Sequence, residues 1–444
     1  MNNEFIYPAE PVRPVARPSE EEIRERSPLP EGSLWFTHDP AIYKDPVSGN
    51  YYVYGTEAKG LRSRDLINWT QLGKVVPEPS ADAKEWTGSN SIWAPDIVKV
   101  GDEYRLYCSN SKFGVQRSSI FLATSTTPEG PFVPQRSVFK SDETFPVNAI
   151  DANIIEDEAD GRQYMVYGSF WGGIHIIELD KETGYAKEEG IGTCLCRRPK
   201  CFDGAVEGPY IIYNKDTEYY YLFVSFGSLH FDYNIRVGRS KCVTGPYIDH
   251  NGRDMTDMDD DDCTLGYMIS CGYKFDDAKG WMGPGHNSVL HDDDGRWYLV
   301  NHVRPHNFKI GDISTMHVRQ ILWSDDGWPL ASPEIYAGEK VQPVTADMIP
   351  GVYEKIRLTP TVPQGICTST KLELFPDGRM SNFSIKGNWE LADEYTLKLT
   401  YGNNTELLKL IPVWDYELWK PALAFTGVDK KHICVWGKKK VDLK

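Results

Sequence analysis

Apolar and polar positions alternate with a period of two along most of this chain, the pattern of half-buried β-strands rather than of helices. Five aromatic-rich runs organise the alternation: YYVYG at 51–55, YRLYC at 104–108, YMVYG at 164–168, YLFVS at 221–225 and WYLVN at 297–301. Their starts lie 53, 60, 57 and 76 residues apart. Each run follows a polar turn and precedes, after a gap, a further strand. Repetition at this interval predicts a five-bladed β-propeller with long loops, because every blade needs the same tight turn between its first two strands. A two-sheet sandwich has no need of so regular a period. The blades are expected to open at LWFTHDPAIY, IWAPDIVKV, NAIDANII, VEGPYIIYN and GPGHNSVLH.

Near residue 340 the rhythm changes. The stretch TSTKLELFPDGRMSNFSIKGNWELADEYTLKLTYGN reads as short antiparallel strands joined by small turns, with Pro376-Asp377-Gly378 as one of them. The expected organisation is all-β: an arm over 1–33, a propeller over 34–335, and a small β-barrel-like domain over 340–444. The small domain carries no catalytic set, so it is read as a cap on the propeller or a sugar-binding module. Between 251 and 283 an insertion contains DMTDMDDDDC. It lacks the glycine and terminal glutamate of an EF-hand at the required spacing and is read as a solvated acidic loop.

Composition narrows the partners. Net charge is −16 with no basic stripe, which argues against nucleic acid and against a polyanionic substrate. Aromatics make up 12%, suiting both strands and a site that grips a flat, weakly polar ligand such as a sugar. The opening segment shows no apolar stretch of a signal peptide, and no run of about 18 apolar residues suggests a membrane span. A cytoplasmic location follows as the expectation, with no membrane and no obligate protein partner; removal of a leader would make the protein secreted or periplasmic. The nine cysteines, an odd number, suit free thiols in a reducing compartment. The cluster CLCRRPKC lacks tandem CxxC zinc spacing.

Three acidic residues stand at equivalent places: Asp39 in FTHDPAIY, Asp151 in NAIDANII and Glu207 in AVEGPYII. Alone, each is an ordinary turn residue ahead of a strand. In a propeller, all three fall where innermost strands begin, at the mouth of the central channel. Asp96 in WAPDI holds the corresponding place in blade two and is expected to fix its loop. Glycosidic bond hydrolysis needs two carboxylates with opposed duties, one protonating the leaving oxygen and one activating water. A third can raise the acid's pKa, since like charges do not ionise together cheaply.

In order, one per blade, HDPAIY, WAPDI, IDAN, VEGPYI and GHNSVL resemble glycoside hydrolase family 43, and within it the α-L-arabinanases with a small C-terminal β domain. The resemblance implies inverting hydrolysis of α-1,5-linked L-arabinan or arabino-oligosaccharides. It implies Asp39 as general base, Glu207 as general acid and Asp151 as the residue that orients the acid and tunes its pKa. It also implies His286 beside a central, largely water-coordinated calcium ion. His38, Trp93, Asn153, Ser169, Phe170 and Arg304 are expected to line the sugar site. The 255–283 and CLCRRPKC stretches are expected to wall it. Two other readings stand: a β-xylosidase or α-L-arabinofuranosidase on xylan-type substrates, and a noncatalytic glycan-binding propeller.

Overall fold

The computed structural model describes residues 5–11, 37–260, 262–276, 278–306, 314–362 and 365–440. Five antiparallel sheets form the five blades expected. Blade one comprises Ala41–Lys44, Tyr51–Gly55, Lys59–Ser63 and Trp69–Lys74; blade two Trp93–Val100, Glu103–Asn110, Ser118–Ser125 and Val133–Ser141. Blade three comprises Asn153–Glu156, Gln163–Tyr167, Ile174–Leu179 and Thr193–Cys196; blade four Val206–Asn214, Tyr219–Phe226, Asn234–Ser240 and Tyr267–Ser270. Blade five comprises Trp281–His291, Trp297–Pro305, Thr315–Trp323 and Pro329–Ala331. The five aromatic runs are the second strands. Flanked within the sheet and covered on both faces by neighbouring blades, they are almost wholly buried, which explains their apolar content.

Each blade is one continuous stretch of chain, and among the described residues no strand exchange closes the ring. Side chains close it instead. Where blade five meets blade one, the Ile42 N–H donates to Ser288 Oγ at 2.9 Å, and the Ser288 hydroxyl donates to the Pro40 carbonyl at 2.7 Å.

In or just before every innermost strand one residue is left-handed: Asp39 (φ 56°), Ala94 (34°), Asp151 (61°), Gly208 (56°) and, in the middle of its longer strand, His286 (46°). In blades two, four and five the pairing register shifts at the same place, as at a β-bulge. Such backbone is costly for residues with a Cβ and persists only when its surroundings hold it. Here the preceding blade does so. The N–H of Ala94 donates to Thr56 Oγ1 (3.2 Å), that of Asp151 to Ser109 Oγ (2.9 Å), that of Gly208 to Asp151 Oδ2 (3.2 Å), that of His286 to Ser225 Oγ (2.7 Å) and that of Asp39 to His302 Nδ1 (3.1 Å).

Eight strands from Gly351–Arg357 to Cys434–Lys439 form a closed barrel. Its Ile356, Ile411, Val413 and Trp436 share one apolar core with Tyr267, Tyr273, Leu299 and Trp328 of the propeller. Beside that core, Lys438 Nζ from the barrel sits 2.7, 3.0 and 3.1 Å from Glu334, Asp415 and Glu417. Residues 5–11 dock on this unit: Ile6 N–H donates to Gln342 at 2.8 Å and Trp419 Nε1 to Glu10 at 2.5 Å. The remainder of the expected arm lies outside the described residues.

The 251–283 insertion is more ordered than a solvated loop. Arg253 donates to Asp257, Asp260 and the Asp259 carbonyl, and Asp260 is fully buried, also accepting the N–H groups of Thr264 and Leu265. A long polar segment satisfies its backbone by turning around one guanidinium.

Asp96 ties blade two to blade three. Its Oδ2 accepts from Asn153 Nδ2 (3.1 Å) and the Ile154 N–H (2.7 Å). Burial pushes its carboxyl up to about 7, against hydrogen bonds that favour the charged form. In an unfolded chain the group titrates near about 4. Folding therefore takes up a proton between these values, and this stabilisation is lost as pH rises through that window. Asp96→Asn keeps an acceptor for both donors. We expect it to narrow the gap in urea midpoint between about pH 5 and about pH 8 relative to the parent protein; an unchanged gap would place the titration elsewhere.

Candidate active site

The left-handed residues aim Asp39, Asp151 and His286 into one cavity of about 600 Å³, which Glu207 also lines. Asp39 lies deepest in polar contacts. Its Oδ2 accepts from Thr56 Oγ1 at 2.5 Å, and Oδ1 lies 3.2 Å from His286 Nδ1 and 3.4 Å from His38 Nε2. Burial alone would raise this carboxyl; the His286 and His38 imidazoles, with His302 beside them, hold it well below the usual range. Asp39 is therefore ionised. His302 is neutral, pushed down by burial, and its Nδ1 accepts the Asp39 N–H, so its proton is on Nε2.

Glu207 lives in the opposite environment. Its Oε2 accepts from Ser169 Oγ (2.8 Å) and its Oε1 from the Tyr233 hydroxyl (3.0 Å). Burial nevertheless raises its pKa, helped by Asp39. Asp151 is also raised, to about 8, by burial and then by the charges of Glu207 and Asp39 against His286. The two carboxyls form a coupled pair that holds a proton at neutral pH. His286 is raised in turn: its burial penalty is outweighed by Asp39, Asp151 and Glu207. One pocket thus holds one carboxyl pushed toward its charged form and two pushed toward the neutral form, with an imidazole among them.

Backbone contact locks this arrangement. The Gly208 N–H donates to Asp151, and a Cβ on Gly208 would stand 3.1 Å from three atoms of His286. Gly208 also has φ 56°. Glycine is needed here because the imidazole leans on the backbone.

His38, Trp93, Ser169, Phe170 and Arg304, read from sequence as sugar contacts, line the cavity, as does His286, read as a neighbour of a metal ion. Ser169 reaches the substrate side through Glu207, and Arg304 also holds the Leu229 carbonyl at 2.7 Å. Asn153 is a correction. It is buried, donating to Asp96 and accepting the Ile211 N–H at 2.9 Å, and it joins blades instead of lining the cavity. The CLCRRPKC and 255–283 stretches are likewise not in the lining. The walls come from Lys112, Phe113, Trp171, Leu229 and His230, with Phe113 and Trp171 exposed. Thr56, Tyr233 and His302 were missed from sequence. The only signal was position: His302 and Thr56 follow the aromatic runs of their blades, where each second strand reaches the axis.

Among the described residues, two groups of side chains each bring three potential metal-ligand atoms together: His38, Asp39 and His302, and Glu334, Asp415 and Glu417. The second encloses the Lys438 ammonium, which supplies its positive charge.

The fold and this constellation are those of a carbohydrate-cleaving propeller, and the comparisons make the class specific. A family model for glycosyl hydrolases family 43 matches residues 33–329, and one for a C-terminal lipocalin-like domain matches 333–437. The chain belongs to glycosyl hydrolase family 43. It is 33% identical to an extracellular endo-α-(1→5)-L-arabinanase of Thermotoga petrophila, over 90% of this chain and 93% of the relative. It is 31% identical to extracellular endo-α-(1→5)-L-arabinanase 2 of Bacillus subtilis, over 90% and 92%. The crystal structure of an endo-1,5-α-L-arabinanase from Thermotoga petrophila superposes with a TM-score of 0.83 at 30% identity, covering 92% of this chain and 99% of that one. These relatives overturn the expected cytoplasmic location: the named enzymes are extracellular, which supports a secreted protein.

Gly208→Ala should displace His286 from Asp39 and Asp151. We expect turnover to fall by up to about 100-fold, since small misplacements cost that much, with the circular dichroism spectrum of the fold unchanged. Near-normal turnover would show that the imidazole tolerates movement.

Proposed function

We propose that this protein is an inverting endo-1,5-α-L-arabinanase acting on arabinan outside the cell. The observation that carries this reading is the opposed electrostatics of Asp39 and Glu207 in one cavity, the first carboxyl lowered by its imidazole neighbours and the second raised by burial, on a propeller with near full-length similarity to endo-arabinanases. Asp39, held ionised, takes a proton from water as that water attacks the anomeric carbon. Glu207, its carboxyl raised by burial, gives its proton to the departing glycosidic oxygen. Asp151 keeps that proton available by making a second ionisation costly, and it grips the Gly208 N–H beside the acid. Phe113, Trp171 and Trp93 supply aromatic faces for sugar rings.

A calcium ion fits beside His286. In its neutral form, with the Nδ1 proton directed at Asp39, His286 would offer an Nε2 lone pair to a mostly water-coordinated cation, and binding the ion would displace the second proton that the neighbouring carboxyls favour. His38, Asp39 and His302 make a poorer direct set, because His302 Nδ1 already accepts the Asp39 N–H. A bound cation would supply positive charge that lowers the proton affinity of the nearby carboxylates.

The experiment is timed product analysis on linear α-1,5-arabinan. A spread of oligosaccharides at early times is expected; arabinose alone would mean chain-end action, and release from xylo-oligosaccharides instead would favour the xylan-type reading. The first-formed reducing end should carry the β configuration by proton NMR, since inversion at an α-linked centre requires it. Asp39→Asn should lose at least about 1,000-fold on every substrate, whereas Glu207→Gln should lose about as much on arabinan but far less on an aryl arabinofuranoside, whose leaving group needs little protonation. Equal losses on both substrates would remove Glu207 from the acid role. Activity should fall as pH rises past about 8, where the Asp151–Glu207 pair gives up its proton. Chelation should lower activity and added calcium restore it; indifference to a chelator would sink the calcium assignment.

A further inference from the structure

Cys271 and Cys367 lie 96 residues apart in sequence, yet their Sγ atoms are 3.6 Å apart, and both residues are buried, at 0% and 4% exposure. Cys271 follows the outer strand of blade four. Cys367 belongs to a two-residue strand, Cys367–Thr368, that leaves the barrel and pairs in parallel with Tyr273–Lys274 of the propeller. The contact is close along the backbone as well. The Cys367 N–H donates to the Gly272 carbonyl at 2.7 Å, and a Cβ on Gly272 would stand 2.0 Å from the Gly365 carbonyl oxygen. The buried guanidinium of Arg236 holds the same segment from the other side, donating to the Pro360 carbonyl at 2.7 Å.

This segment supports the active site. A Cβ on Gly365 would come within 2.7 Å of the Phe231 carbonyl, so the segment lies directly under the 228–233 loop. That loop gives the cavity Leu229, His230 and Tyr233, and the Tyr233 hydroxyl donates to Glu207.

We propose that Cys271 and Cys367 form a disulfide in the secreted enzyme, fastening the barrel's connecting segment to the propeller beneath the wall that carries Tyr233. The thiols need approach by only about 1.5 Å to reach bonding distance, a shift that side-chain rotation supplies. The direction of exchange is set by Cys367. Its thiol is lowered to about 7 by the hydrogen bond from Cys271, while burial raises Cys271. As the chain folds, the Cys367 thiolate attacks one sulfur of a disulfide oxidant, such as glutathione disulfide, and expels one thiolate. Cys271 then gives up its proton and attacks Cys367 Sγ, expelling the other half as a second thiolate. Two electrons pass to the oxidant, whose S–S bond becomes two thiols carrying the two protons lost by the cysteines. The proposal takes its setting from the extracellular location but is tested on the isolated protein.

The full chain would be reduced, unfolded and refolded with either glutathione disulfide or excess reductant, then alkylated, digested and mapped by mass spectrometry. We expect the oxidised sample to show seven alkylatable thiols out of the nine present, with one linked peptide pair joining Cys271 to Cys367. Its thermal midpoint should exceed that of the reduced sample by about 5–10 °C, and the gap should vanish in Cys367→Ser and in Cys271→Ser. Nine free thiols after oxidative refolding, or a link to a different cysteine, would overturn the proposal. A gap that persists in both variants would overturn it too. Should the variants fail to fold, the peptide map of the parent protein decides alone. A linked pair in a protein without arabinan activity would sink the functional reading and leave this one standing.

Discussion

The structure depends on one backbone constraint repeated around its axis: a residue in left-handed conformation in or just before each innermost strand, held by the blade before it. Five positive φ angles would each be a local cost. Each is over-determined by a hydroxyl, a carboxylate or an imidazole from the preceding blade that captures the freed N–H. The kink turns the side chain at that point toward the axis. Asp39, Asp151 and His286 occupy three of the five kinks, and Glu207 precedes a fourth. The proposed catalytic constellation is thus the propeller's own assembly geometry with acidic and imidazole side chains placed on it.

Electrostatics then separates groups that share a chemistry. Asp39, Asp151 and Glu207 are all buried carboxyls, and burial pushes every one toward the neutral form. Asp39 alone is surrounded by imidazoles at 3.2–3.5 Å, which reverses the effect of burial. Glu207 receives two hydroxyls and no imidazole at contact, so burial prevails and its carboxyl is raised. The division of labour comes from the neighbours of each carboxyl and not from the carboxyls themselves.

Most of the fold was legible because second strands buried on both faces must be apolar, and their repetition is visible without any structure. The acidic trio was legible because each member directly precedes an apolar run. What sequence could not convey was rotation about the kink. Asn153 sits two residues beyond Asp151, past the left-handed turn, and its amide points into the seam between blades. CLCRRPKC precedes Glu207 in sequence but belongs to the outer strand of blade three and its exit, away from the axis. Thr56 and His302 lie near the inner ends of second strands, where a polar residue reads as the start of a turn. Tyr233 opens a third strand, and nothing in FDYNIRV distinguishes a hydroxyl aimed at an acid from one aimed at solvent.

Because no strand is shared between the first and last blades, the ring has a seam between blade five and blade one, held by Ser288 with Ile42 and Pro40, and by His302 with Asp39. Two N–H groups cross that seam, those of Ile42 and Asp39, and the second belongs to the residue whose carboxylate is proposed to activate water. Ring closure therefore also places the proposed base: opening the seam would release the Asp39 N–H from His302, while the Asp151–Gly208 contact between blades three and four would remain.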